Sequence, residues 1–178
     1  MLTNLGRPPM PADAVELLLE CHARIRWFLD LAGRLAAARD LPPQEIAAAA
    51  ARVHRYFAQA LPLHARDEEE SLLPRLRGRD AAVDDELQAM RREHAEHVGP
   101  IDRLTVFCAA LAADPGRLAE LAPGVGLAGS LLARHFAVHL DREERVIFPA
   151  VRRTLTAEED GRLVAEMRAR RAPSPVPG

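Results

Sequence analysis

Lysine is absent from this 178-residue sequence, and all 24 of its basic residues are arginine. That usage is typical of the codon bias of a GC-rich genome. The arginines are offset by 26 acidic residues, giving a net charge of -2, and they form no concentrated basic stripe. Because nucleic acids are bound by clustered positive charge, the sequence argues against a nucleic acid as the principal partner.

Cysteine is scarce as well, since only Cys21 and Cys108 are present. Two cysteines are too few for a thiolate metal centre, and nothing indicates an oxidising compartment. The sequence has no apolar run of the roughly 20 residues that cross a bilayer, and its start lacks the charged and apolar segments of a signal peptide. We therefore expect a cytoplasmic protein that is not bound to a membrane.

The two-residue alternation of strands is also missing, and apolar residues recur instead at steps of three and four. This pattern predicts four long helices, at residues 13–38, from Pro43 to just before Gly78, at 80–113 and at 127–155. A capping-box signature at Thr156 and Glu159 predicts a short fifth helix that ends near residue 171. Four amphipathic helices with short connections specify an all-α fold, an antiparallel four-helix bundle with a short C-terminal fifth helix.

Prolines and glycines set the expected limits of this domain. The proline-rich ends predict a flexible N-terminus at residues 1–12 and a disordered tail at 172–178, around a bundle domain at 13–171. Within the domain we expect Pro62 to bend or break the second helix and the segment 123–126 to interrupt the chain before the fourth. Pro74 and Pro149 are expected to shape helix ends.

The most informative feature is a pattern that occurs twice, H-x-x-x-E-E-x-x-φ-φ-P. It begins once at His64, with Glu68 four residues on, and again at His139, with Glu143 four residues on. Four residues are about one turn of helix, so each imidazole and carboxylate project from one face about 6 Å apart along the axis. The sequence reads as two related halves, each with a further lone histidine upstream: His22 in the first half and His94 in the second.

These six residues fall on the inward faces of the four predicted helices. Leaving four imidazoles and two carboxylates unpaired in an apolar core would be costly, and a metal supplies the missing partners. Imidazole and carboxylate without thiolate suit iron, manganese or zinc. We expect a dinuclear centre, with Glu68 and Glu143 bridging two metal ions and the histidines as terminal ligands.

The arrangement resembles the hemerythrin-like family, also called HHE cation-binding domains, over residues 13–171. The resemblance is carried by His22, by His64 and Glu68 in H-A-R-D-E-E-E-S-L-L-P, by His94 in E-H-A-E-H, and by His139 and Glu143 in H-L-D-R-E-E-R-V-I-F-P. The closing R-L-V-A-E-M-R-A-R-R is similar to the tail of bacterial members. The resemblance implies a cofactor of two iron ions, in a non-haem site that interacts with dioxygen, peroxide or nitric oxide, or that senses or handles iron.

One departure from the family concerns a fifth histidine. Oxygen-carrying hemerythrins have H-x-x-x-H on the third helix, whereas the residue four after His94 here is Val98. His97 and His135 are the two candidates for the fifth place, and His97 aligns in the internal repeat with Ile25, a core position. With fewer histidines, water or another carboxylate fills the coordination position, which favours redox turnover over reversible oxygen carriage.

Residues beside the ligands have other expected roles. Glu69 and Glu144 follow the two carboxylate ligands but are rotated by about 100° around the helix, so they face solvent, pair with arginines or orient a histidine ring. His54 is expected to be peripheral, and Cys21 to point away from the metals.

Three classes of function remain open from the sequence. In the first, a di-iron centre either turns over peroxide or nitric oxide as an enzyme, or acts as a sensor or reservoir. A ferritin-like oxidase or iron store is the second class, but such proteins use E-x-x-H pairs and no histidine here has a glutamate three residues before it. The third is a metal-free or zinc-binding helical interaction module. The sequence does not determine the oligomeric state.

Overall fold

The computed structural model describes residues 13–172. The predicted flexible N-terminus, residues 1–12, and residues 173–178 of the predicted tail lie outside the described residues. Within them the chain forms five helices and no strand. Their bounds are Ala14–Ala37 for α1, residues 43–76 for α2, Ala81–Ala113 for α3, residues 118–154 for α4 and Ala157–Ala169 for α5. The predicted all-α fold is confirmed.

Side-chain caps fix where three of these helices begin. The carboxylate of Asp13 accepts a hydrogen bond from the backbone of Glu16 at the start of α1, and Asp80 caps α3 in the same way. At α5, Thr156 and Glu159 form the predicted capping box, each side chain bonding the other's backbone N–H. Such caps satisfy the otherwise unpaired N–H groups of a first helical turn, which is why the sequence located these ends closely.

Two of the helices contain π-helical turns, each ending two residues before a proline. These segments are Tyr56–Ala60 before Pro62, Asp67–Leu72 before Pro74, and Glu143–Ile147 before Pro149. A π turn moves the backbone bonding by one residue, which relieves the clash of the proline ring with the preceding turn. The prediction that Pro149 shapes a helix end was therefore wrong, since α4 continues to Thr154.

The predicted interruption at residues 123–126 was also wrong. A 3₁₀ turn at Pro115–Arg117 leads directly into α4, which runs without a break through Pro123. The glycine after it serves close packing: a Cβ at Gly124 would lie 2.7 Å from the ring of Phe107 on α3. Glycine occurs here because another helix approaches closely, not because the chain turns.

The four long helices surround a core that is split into two apolar clusters. Each long helix packs against two others, because α1 and α3 both contact α2 and α4. The short helix α5 packs against α1 and α2 at one end of the bundle. One cluster includes Ile25 and Leu104, and the other includes Leu18 and Met90. On α1, His22 lies between Leu18 and Ile25. The predicted ligands therefore form a polar layer between the two clusters.

One helical run, Pro115–Thr154, is apolar enough over 18 residues to cross a membrane by length and composition, with a mean hydropathy of 1.2. Core helices of soluble proteins pass the same test. This run carries His139 and Glu143 on its buried face, and 39% of the 18-residue window is buried within the described bundle.

Candidate metal centre

The structure brings all six predicted ligands together at the centre of the bundle. They come from four helices: His22 from α1, His64 and Glu68 from α2, His94 from α3, and His139 and Glu143 from α4. Five of them are at most 2% exposed. The exception is His94, whose side chain is 10% exposed. The i,i+4 spacing of the sequence places each pair on one buried helix face, as predicted.

The two carboxylates each face two histidines on different helices. Glu68 Oε1 lies 3.2 Å from His64 Nε2, and its Oε2 lies 3.2 Å from His94 Nε2. Glu143 repeats the arrangement, with Oε1 3.1 Å from His139 Nε2 and Oε2 3.1 Å from His22 Nε2. Each carboxylate thus directs one oxygen towards one pair of histidines and the second oxygen towards the other pair.

Two ligand groups result, and they share both carboxylates. His22 and His64 form the first group with the two glutamates, while His94 and His139 form the second with the same two. Within each group, one ligand atom from each residue lies within 4.8 Å of the others. Sharing of both carboxylates is the arrangement expected of a carboxylate-bridged pair of ions.

Unpaired atoms at this site test whether a metal fits. The Nε2 atoms of His22, His64 and His139, and all four oxygens of Glu68 and Glu143, are buried and make no hydrogen bond within the described chain. Several are near one another, but without hydrogen-bonding geometry. Burying unpaired polar atoms is unfavourable, and bound cations would satisfy them. The nitrogen and oxygen donors, without thiolate, suit iron, manganese or zinc.

The electrostatics of the site favour the binding of a cation. Burial, together with the negative charge of Glu68, raises the pKa of Glu143 to about 8. Burial, together with the charges of His94 and His22, lowers the pKa of His139 to about 3. Both groups therefore resist their charged forms in this low-dielectric layer, and a bound cation reverses that preference for the carboxylate.

His94 differs from the other three histidines. Burial opposes its charged form, but attraction from Glu68 and Glu143 and the hydrogen bond to Glu69 outweigh burial and raise its pKa to about 9. Because a metal binds the neutral imidazole, His94 has to lose a proton before it becomes a ligand.

Three of the histidines are held by a carboxylate on their second ring nitrogen. His94 Nδ1–H donates to Glu69 at 2.7 Å, and His22 Nδ1–H donates to Glu144 at 2.8 Å. Such bonds fix the ring orientation and leave Nε2 free for a metal. The sequence had left this role open for Glu69 and Glu144, and the structure places both of them there.

A third such carboxylate, Glu93, was missed by the sequence reasoning. His139 Nδ1–H donates to Glu93 Oε2 at 2.9 Å, and Arg142 pairs with the other oxygen. The sequence feature that could have identified Glu93 is its position immediately before His94 in the internal repeat. The matching position before His22 is Cys21, and correspondingly Nδ1 of His64 has no hydrogen-bond partner within the described chain. The two halves therefore differ in how firmly their rings are held.

Neither candidate for a fifth histidine belongs to a ligand group. His97 is 3% exposed, and its ring packs 4.4 Å from that of Phe136, as its core alignment predicted. His135 is half-buried beside it, and Val98 is 54% exposed. His54 donates to the backbone carbonyl of Thr105, which is consistent with its expected peripheral place.

The helix α5 is tied to the π turn that carries Glu68. The carboxylate of Asp67 is fully buried and pairs with Arg170 at 2.8 Å and Arg171 at 2.6 Å. Arg170 also donates to the hydroxyl of Ser71 in the same turn. The C-terminal end of the described chain therefore supports the backbone next to a predicted metal ligand.

A cavity of about 690 Å³ lies between α2 and α3, against the second ligand group. Its wall includes His64, His94 and His139, together with apolar side chains of α2, α3 and α4. His22 is not part of this wall, and it packs instead against Phe148 with ring centroids 5.0 Å apart. Both histidines of the second group therefore line the cavity, but only one histidine of the first group does.

Comparison with protein families gives one match, to the hemerythrin HHE cation binding domain, over residues 13–151. The matched range includes all six predicted ligands. Comparison with curated proteins gives no match.

Proposed function

The chain belongs to the hemerythrin HHE cation-binding family, and from this premise we propose that it is a non-haem di-iron protein that binds, senses or reduces a small oxidant. Dioxygen, peroxide and nitric oxide are the oxidants we propose, in the cytoplasm. The observation that carries the proposal is the sharing of two buried carboxylates between two pairs of histidines.

The donor set favours a pair of metal ions over a single one. Glu68 and Glu143 each direct one oxygen at either histidine pair, so the residues offer two nitrogen and two oxygen donors at each of two positions. A single ion in one group would leave the unpaired atoms of the other group buried. Two dipositive ions also offset the two carboxylate charges in this layer.

The remaining residues orient the ligands and exclude water. Glu69, Glu93 and Glu144 hold three imidazole rings through Nδ1, which fixes Nε2 towards the metal positions. The apolar clusters on either side of the layer bury His22 and both carboxylates. Iron bound at such a site supplies one-electron redox chemistry at each ion and a position for an exogenous ligand.

The absence of a fifth histidine from either group supports turnover over reversible carriage. Two histidines and two carboxylate oxygens leave a non-haem iron with positions for water or an oxidant. His97 and His135 lie outside both ligand groups, so the second group has no third imidazole. An enzymatic form of the proposal is reduction of peroxide or processing of nitric oxide.

Metal analysis tests the proposal directly. Protein produced with ample iron is expected to hold about two irons per chain by mass spectrometry, with near-ultraviolet absorption that changes on exposure to air. His64→Ala and Glu143→Ala should each lose iron, while His54→Ala, a histidine outside both groups, should keep it. Peroxide consumption is then compared for iron-loaded and iron-free protein.

The competing function is a metal-free or zinc-binding helical module. If the protein takes up no iron after anaerobic reconstitution, and a variant lacking all six residues folds with equal stability, the di-iron proposal is wrong. Zinc bound at the same six residues, with no iron uptake under the same conditions, would favour a structural metal site. The buried unpaired carboxylates favour the metal-bound alternatives over a metal-free core.

A further inference from the structure

The cavity beside the second ligand group is much larger than a diatomic gas or hydrogen peroxide requires. Its volume is about 690 Å³, whereas a water molecule occupies roughly 30 Å³ of liquid volume. Ligand pockets of roughly 300–1,000 Å³ take organic molecules with about the size of a drug or cofactor. The cavity is therefore large enough to hold an organic ligand.

The walls of the cavity are mainly apolar. Phe57 and Leu61 of α2, Ile101 of α3 and Phe136 of α4 contribute to it. Val98, at 54% exposure, lies at the same cavity and presents an apolar side chain to solvent. Burying apolar ligand surface against these side chains is favourable by about 25 cal/mol per Å². An occupant with a hydrocarbon or aromatic body is therefore preferred.

The polar groups of the cavity determine which polar group, or head, the occupant can carry. Imidazoles line the cavity, from His64, His94 and His139 of the two ligand groups and from His97. Arg66 of α2 also lines the cavity, but its guanidinium already donates hydrogen bonds to both oxygens of Glu70. Arg91 is exposed on α3. A neutral polar head that exchanges hydrogen bonds with imidazole fits this wall better than a carboxylate.

We propose that the oxidant handled at this centre is an organic hydroperoxide, whose apolar body occupies the cavity and whose O–O group lies against the second ligand group. This inference rests on the proposed function, which supplies the diferrous centre. In a single turnover the O–O bond of ROOH breaks, and two protons from solvent complete one molecule of alcohol, ROH, and one of water. Two ferrous ions, if held by the two ligand groups, would supply the two electrons that this reduction needs.

Binding to the cavity is tested without any redox step. The probe is 2-phenyl-2-propanol, the alcohol product of cumene hydroperoxide, titrated into the purified protein and followed by ligand-observed NMR. The filling variants are Ala95→Phe and Ala58→Phe, which place a ring in the cavity from α3 and from α2. Both alanines are exposed, so neither change intrudes on the core. Ala109→Phe, an exposed alanine of α3 outside the cavity, is the matched control.

The expected result is that Kd for the alcohol rises at least about tenfold in both filling variants, equivalent to about 1.4 kcal/mol, and stays unchanged in the control. Equal affinity of the filling variants and the control overturns the cavity assignment. Circular dichroism of each variant verifies the helical fold before the comparison, and the second filling variant replaces the first if one is misfolded.

Substrate preference is then measured on the reduced iron-loaded protein. The ratio of its oxidation rate by cumene hydroperoxide to that by hydrogen peroxide should fall at least about tenfold in Ala95→Phe and remain constant in Ala109→Phe. A constant ratio in both variants overturns the hydroperoxide assignment even if the alcohol binds. Failure of the proposed function gives a different result: the protein then holds no iron, whereas alcohol binding can still be measured.

Discussion

Removing the carboxylate behind His139 should weaken one of the two metal positions selectively. In Glu93→Ala the imidazole loses the acceptor that its Nδ1–H meets at 2.9 Å. The Glu93 side chain is only 19% exposed, so water replaces it incompletely. Arg142, the other partner of this carboxylate, keeps its ion pair with Glu86 at 2.8 Å and is not left unpaired. The main consequence is therefore a poorly oriented ligand.

The magnitude follows from the role of the bond. Loss of a carboxylate that orients a metal-binding histidine typically lowers metal affinity by about 10–100-fold, or about 1.4–2.7 kcal/mol. That agrees with the about 1.5–3 kcal/mol of a hydrogen bond to a charged group. The first ligand group contains His22 and His64 and does not include His139, so its affinity should be close to that of the wild type.

The assay is removal of metal by a chelator from protein loaded with two equivalents of cobalt or iron. Glu93→Ala should release one equivalent at about 10–100-fold lower chelator concentration and hold the other as before. Glu96→Ala, an exposed residue one turn further along α3, is the control. If both equivalents are weakened alike, or if the variant matches its control, then Glu93 does not orient His139 in the way we infer.

Three substitutions and a pH series test the fold and the protonation of the site. Asp67→Ala removes a fully buried carboxylate from two arginines at the end of α5, and urea denaturation should show a loss towards the lower end of about 3–5 kcal/mol, because those arginines are partly exposed. A Cβ at Gly33 of α1 has nothing within 4 Å, so Gly33→Ala should raise stability by about 0.5–1 kcal/mol in the same assay. Gly124→Ala should fail to give this gain, since its Cβ would lie 2.7 Å from an aromatic ring. Because the pKa of His94 is raised to about 9 in the metal-free site, metal affinity should increase with pH up to that value, by roughly tenfold per unit for this proton, and a flat dependence in chelator competition between pH 7 and pH 8 would contradict this.

Much of the site could be predicted because its ligands are related by local spacing. A separation of four residues places His64 beside Glu68, and His139 beside Glu143, on one helix face, whatever the rest of the chain does. Caps such as Asp13 and Thr156 likewise act within three residues, so the starts of α1 and α5 followed from the sequence. The internal repeat then showed that two such pairs belong to one site.

Contacts between helices could not be predicted with the same certainty. Glu93 and His139 are 46 residues apart in sequence, and only the rotation and axial position of α3 relative to α4 bring them together. In the local sequence Gly124 indicated a turn, yet the presence of glycine at this position is explained by the approach of Phe107 from another helix. Local sequence patterns reflect the conformational preference of a short segment, whereas the roles of these residues depend on packing against another helix.

The sequence by itself determined the helices, their buried faces and the six residues that converge between the two apolar clusters, because each of these depends on periodicity along one helix. Only the tertiary structure decided how the carboxylate oxygens divide between the histidine pairs, which histidine lacks an acceptor, and which imidazoles line the cavity. Those properties depend on distances between atoms of different helices, and they are set when the four helices pack around a shared core.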